Sequence, residues 1–411
     1  MYADDVTALV TSPEDMVSLI EVIELFCRLF GMKLNASKTF AVIFNNPKKS
    51  GKSHAQLARK CQWKIGDHHV QIEHESKFLG IVFHDTKGCE AAPSELAAKG
   101  RKAMHLMMSK MKGHFINQSA FLLRMFDQLV KPVLSYGCQI WGPDVLHDRL
   151  DIEQIICRYK NPLEAVHIDF MRYLGGLPKS SPLWILYNEF QRTPLHFHWL
   201  ALCARFWAKA IAAPPITDPQ RNVLLRNCMI DNINLAINGS TECWVAKFFH
   251  AMVVIGAVSY EDLKACKHVN DYATLEISEG MVKTKLQGLW QGMCQEVFGA
   301  LADPRSIPDT LANTYVRYRA WVIADQPPSH LTAFIPTHIK HMLLRFRSTS
   351  FPLAIQVGRC SKHKIPRSQR LCSACSLGHM EDDKHLFARM PYVCTYPKEV
   401  PIHFHPICIP C

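Results

Sequence analysis

Two neighbouring aspartates constrain the start of this chain more than any other feature. Tyr2-Ala3-Asp4-Asp5 precedes the β-prone run Val6-Thr7-Ala8-Leu9-Val10. Adjacent carboxylates on a tight strand–turn–strand cannot neutralise each other, and binding divalent cations through oxygen relieves their repulsion. Two-metal phosphoryl transfer uses such pairs: the ions activate a 3′-hydroxyl and stabilise the leaving pyrophosphate. Two ions also need a third carboxylate from another strand. Taken alone, the tetrapeptide is more ordinary as a surface turn.

A helix follows with clear punctuation. Ser12 suits the N-cap, Pro13 the first helical position, and Glu14 and Asp15 the positive end of the dipole. Met16, Leu19, Ile20, Ile23, Phe26 and Phe30 repeat at helical spacing up to Gly31. Thr39 to Phe44 reads as a strand, Asn45 to Gly51 as a turn, and Lys77 to Phe83 as one further strand bearing Gly80. From Ser94 to Trp141 the pattern is helical and basic, with Lys99, Arg101, Lys102, Lys110 and Lys112 interleaved with Met104, Leu106, Met107 and Met111. A solvated face and a phosphate-facing surface account for that run equally well. Pro214, Pro215 and Pro219 mark a boundary, beyond which the pattern stays helical to about Pro336.

The net charge of +11 makes a polyanion, nucleic acid first, a plausible partner. Most of the 16 cysteines stand singly in apolar stretches, as Cys27, Cys138, Cys157 and Cys203 do, which fits reduced, buried thiols in an intracellular protein. The first residues lack the basic and apolar regions of a signal peptide, so secretion is not expected. The most apolar stretch, near Phe248 to Ala257, is broken by His250 and bounded by Lys247 and Glu261, so no membrane span is expected. The last stretch differs: Cys360, Cys372, Cys375, Cys394, Cys408 and Cys411 mix with His363, His379, His385, His403 and His405, led by basic residues including Arg345, Arg347 and Arg370. That composition suits a basic, metal-binding module.

Four motifs fall in a telling order. They are Tyr2-Ala3-Asp4-Asp5, Gly31-Met32-Lys33-Leu34-Asn35-Ala36-Ser37-Lys38-Thr39, Lys77-Phe78-Leu79-Gly80-Ile81, and Lys131-Pro132-Val133-Leu134-Ser135-Tyr136-Gly137 running on through Cys138 to Gly142. The succession resembles the C-terminal half of the reverse transcriptases of non-LTR (LINE-type) retrotransposons. His167 to Gly176 and Glu189 to Leu195 are similar to that family's post-thumb region, although by pattern alone His167 is a packed helix histidine rather than a ligand.

The resemblance implies an α+β, mainly α chain: a partial polymerase palm (1–92), thumb and post-thumb helices (93–213), a helical connector (214–336) and a small Cys/His-rich module (337–411). It implies catalytic, Mg-binding aspartates at Asp4 and Asp5, a triphosphate-side lysine at Lys38, and a primer-gripping turn at Gly80. RNA template and DNA primer are the implied partners, with phosphate contacts expected from Lys99, Arg101, Lys102, Lys110, Lys112, Arg345, Arg347 and Arg370, in the nucleus or cytoplasm. Cys372-x2-Cys375-x9-His385 before Pro391-Tyr392 resembles the family's zinc knuckle, but Met390 stands where the fourth ligand belongs. Cys394 is the stand-in from downstream, Cys360 and His363 an upstream alternative pair, and His379 a further one. The family's fingers and its other palm aspartate have no counterpart here, so the chain is expected to be a fragment, inactive alone. A non-catalytic nucleic-acid-binding remnant and a decayed reading frame stay open beside it.

Overall fold

Among the described residues helices dominate, with only small two-stranded sheets. The computed structural model describes residues 6–44, 62–86, 88–89, 91–112, 119–146, 161–211 and 219–300, together with 318, 328–331, 335–348, 350–351, 353–354, 357–358, 365–373, 378–381 and 385. Asp4, Asp5, Cys375, Cys394 and the turn expected at Asn45 to Gly51 lie outside the described residues, as does the side chain of Lys112.

Helix α1 spans Pro13–Leu29. The Ser12 hydroxyl accepts the Asp15 N–H at 3.0 Å, as an N-cap should. At the other end Gly31 turns left-handed (φ +65°), and the Met32 N–H reaches back to the Cys27 carbonyl at 2.8 Å. Val6 to Val10, expected as a strand, form none. No described strand pairs with them, and an unpaired strand leaves its backbone groups to water.

The strand expected from Thr39 to Phe44 shortens to β1 (Phe40–Ala41), which pairs in parallel with β4 (Gln71–Ile72). Between them in sequence, β2 (Lys64–Ile65) and β3 (His68–His69) form an antiparallel ribbon. The single strand expected over Lys77 to Phe83 is instead a hairpin, β5 (Glu75–Phe78) against β6 (Ile81–His84), with Phe78 opposite Ile81. The reversal falls at Leu79 and Gly80, both at positive φ (+47° and +85°), which is what a two-residue turn matched to strand twist requires.

Helix α2 (Ala92–Lys112) follows, then α3 (Ser119–Met125), a π-helical turn at Phe126–Val130, α4 (Lys131–Leu134) and α5 (Cys138–Leu146). Pro132 explains the π turn: it offers no N–H to the carbonyl four residues back, so the hydrogen-bond register slips. The remaining helices are α6 (Pro162–Gly175), α7 (Leu183–Glu189), α8 (Leu195–Ile211), α9 (Pro219–Ile237), α10 (Trp244–Val254), α11 (Tyr260–Ala265), α12 (Val269–Thr274), α13 (Glu279–Ala300) and α14 (Thr337–Arg347).

The chain divides into two compact units, each assembled from separate stretches. The first takes Met1–Ile116, Phe121–Ile168 and Thr193–Gln295; the second takes Asn117–Ala120, Asp169–Arg192 and Glu296–Cys411. In the first, α8 is the hub of the core. Trp199 meets Trp141 edge-on at 5.2 Å and donates its indole N–H to the Ser135 hydroxyl at 3.0 Å. Two turns further, Trp207 packs on Phe248 and Phe249. All five rings are almost wholly buried, which satisfies the indole and removes large apolar surfaces from water. His167 is a packed helix residue: its Nδ1 lies 2.9 Å from Glu164 and its ring stacks on Phe126. Glu164 also accepts the Leu195 N–H at 2.7 Å, tying α6 to the start of α8.

Gly137, in the turn between α4 and α5, sits at φ +65°, and a Cβ there would come within 2.3 Å of Ile81 Cδ1. Gly137→Ala is expected to cost about 2–3 kcal/mol, the sum of left-handed strain and overpacking. The check is the urea midpoint; a midpoint within error of wild type would show that the turn relaxes freely.

Candidate nucleic-acid interface

The turn at Leu79 and Gly80 is held in place from elsewhere in the first unit. The Tyr136 hydroxyl donates to the Leu79 carbonyl at 2.7 Å, and Lys99 Nζ approaches the Gly80 carbonyl at 3.5 Å. Leucine in the left-handed region costs about 1–2 kcal/mol, so an outside restraint is needed to keep it there. The held turn leaves Phe78 and Leu79 exposed at its tip.

Beside the turn runs α2, whose sequence sorts its residues by face. Ala92, Leu96, Ala97, Gly100, Met104 and Met107 are buried at helical spacing, and Gly100 lets α2 approach Leu134 closely. Arg101, Lys102, His105 and Lys110 are exposed, with Lys102 and His105 opposite the buried row and Arg101 and Lys110 on its flanks, and no acidic residue occurs from Lys99 to Lys112. Glu95, one turn earlier, pairs with Lys77 and, at 3.2 Å, with Lys99. The Lys77 hydrogen bond, followed by that of Lys99, holds the Glu95 carboxyl below the usual range in spite of burial.

An open groove of about 830 Å³ lies between the hairpin and the π turn, walled by Phe78, Phe83, Tyr136 and Ile140. Asp127, Lys131 and His198 are among the polar groups lining it. Burial, reinforced by the charges of Lys131 and Lys283, lowers the His198 pKa to about 4, so its imidazole is neutral at pH 7. Nothing in the sequence marked His198 or Asp127, and the π turn that presents Asp127 was not expected.

The other expected site residues are scattered. Lys38 ends a 3₁₀ turn, Ala36–Lys38, and is exposed. The three arginines of the second unit are turned to that unit's own acceptors: Arg345 Nε donates to the Gly176 carbonyl at 2.5 Å, Arg370 Nε to the Ile365 carbonyl at 2.8 Å, and Arg347 makes two 2.8 Å contacts with the carboxylate of buried Glu189. A desolvated carboxylate attracts a guanidinium more strongly than a hydrated phosphate does, which explains why Arg347 points there.

The Cys/His region begins as a small hairpin. Leu371 bridges to Met380, and the Cys372 N–H donates to the His379 carbonyl at 2.9 Å. Cys372 and His385 are buried, and the His379 and His385 rings lie 5.7 Å apart. These donor types suit zinc. Among the described residues, however, no group of three or more His, Cys, Asp or Glu side chains is placed to hold a metal ion. Nor is any helix among them long and apolar enough to cross a membrane.

The chain matches no family model, no curated protein and no solved structure.

Proposed function

We propose that this chain is a portion of a non-LTR retrotransposon reverse transcriptase that binds nucleic acid through α2 and the adjoining β5–β6 turn. The observation that carries the proposal is the acid-free, outward face of α2 beside a restrained turn with exposed apolar side chains. Such a pairing of cations with apolar tips suits a phosphate backbone and the bases or sugars next to it. Mg²⁺ at Asp4 and Asp5, a triphosphate at Lys38 and zinc at Cys372, Cys375, His385 and Cys394 belong to the same proposal, as does an intracellular location.

Affinity for RNA or DNA should fall steeply with salt and depend little on sequence, since the contacts are to phosphates. Lys102→Ala and Lys110→Ala should each flatten the log–log salt slope by about one unit. Fluorescence anisotropy between low and physiological salt measures this. Absence of binding at low salt, or an unchanged slope in both variants, sinks the proposal.

A further inference from the structure

Helix α1 carries two apolar faces and uses one. Met16, Leu19, Ile20, Ile23 and Cys27 are half-buried. The helix is fastened by the Trp63 indole N–H to the Pro13 carbonyl and by the Gly66 N–H to Glu24. Away from that half-buried row, Val22, Leu25 and Leu29 are 62%, 52% and 71% exposed, with Phe26 and Phe30 beside them. A helix with apolar rows on two opposite faces normally lies between two layers. Here the second layer is not supplied by the chain's own described residues.

The spacing and the charges indicate what supplies it. Ser18, Val22, Leu25 and Leu29 are separated by four, three and four residues, the seam spacing of paired helices. Flanking that seam on one side, at seven-residue intervals, are Glu14, Glu21 and Arg28, all exposed. If two copies of α1 lie antiparallel with Val22 opposite Leu25 of the other copy, these flanking positions face each other. Glu21 of each copy then meets Arg28 of the other, once on each side of the two-fold axis. A parallel pairing sets Glu21 beside the Phe26 ring and forms no ion pair. The surface is thus self-complementary in one orientation, as an isologous contact must be.

We propose that α1 is a self-association surface, through which two copies of this chain form an antiparallel dimer. The contact does not depend on nucleic acid. The acid-to-base order along α1 also complements its own dipole, so the decisive variants are those that separate the two explanations.

Sedimentation of the full chain at low salt, over a range of micromolar concentrations, should show a concentration-dependent dimer. Arg28→Glu sets like charges together twice and should weaken the dimer about tenfold. Leu25→Ala, which shortens the centre of the seam, should weaken it by at least as much. The double variant Glu21→Arg/Arg28→Glu restores opposite charges across the interface while opposing the dipole within each helix, and it should recover wild-type dimerisation. Circular dichroism and the urea midpoint check that each variant keeps the wild-type fold. A chain that is monomeric throughout, whether because another partner or another segment covers this face, overturns the proposal. So does a dimer indifferent to Arg28→Glu, or one that the double variant fails to restore.

Discussion

Arg347→Ala should destabilise the second unit by about 3–5 kcal/mol at pH 7, because it leaves the charge of Glu189 buried and uncompensated. Glu189 is wholly inaccessible. Its Oε1 takes both Arg347 contacts, its carboxyl also hydrogen-bonds Tyr318, and Oε2 lies 3.5 Å from His330 Nδ1. Burial pushes the Glu189 pKa up, against the opposing pull of Arg347. Without the arginine that pKa rises further, so the folded variant holds its proton to higher pH than the unfolded chain does. The penalty of the variant should therefore shrink as pH falls toward the ordinary carboxylate range. Replacing both partners, Glu189→Leu with Arg347→Leu, should recover most of the loss, since neither desolvated charge remains. Urea midpoints at two pH values separate these outcomes. An Arg347→Ala chain of wild-type stability but lower affinity for RNA would return Arg347 to the phosphate-binding set.

Mild acid should weaken the fold well before the carboxylates titrate. His196, on α8 in the first unit, is wholly buried, and desolvation lowers its pKa to about 4. In the second unit His330 falls to about 3, again chiefly through burial, with the charges of Arg347 and Lys340 adding to it. The unfolded chain takes up these protons near pH 6.5, whereas the folded chain refuses them until far lower. Stability is therefore fully present above about pH 6.5 and is lost as pH drops. For His196 the loss by pH 4 is about 3 kcal/mol, at roughly 1.4 kcal/mol per pH unit. His196→Gln, which cannot titrate, should flatten the stability–pH slope between pH 6.5 and 4.5. An identical slope in the His196→Gln and His330→Gln chains would mean that other groups carry the acid response.

The parts of this architecture that were legible in the sequence are those written locally. Ser12, Pro13 and Gly31 bound α1 because caps are decided by neighbours within a turn. The outward face of α2 was readable because charge and burial share one helical period. The hairpin was not, because Leu79 accepts a left-handed backbone only with help from Tyr136, 57 residues later. The fate of Arg347 was equally hidden: its partner Glu189 lies 158 positions earlier, and no periodicity records such a pairing. The placement of Asp4 and Asp5 remains a reading of sequence, since both fall outside the described residues.

The interleaving of the two units has a practical consequence for anyone who handles the gene. Because α6 begins in the first unit and ends in the second, and the chain then returns to the first at Thr193, no single cut separates either unit from all residues of the other. During synthesis the first unit cannot close until Gln295 has left the ribosome, by which time the early part of the second is already waiting for its remainder. Truncations before Gln295 should therefore yield insoluble or chaperone-bound products, and a fragment holding the first unit alone calls for an end after Gln295 and a designed linker in place of residues 169–192.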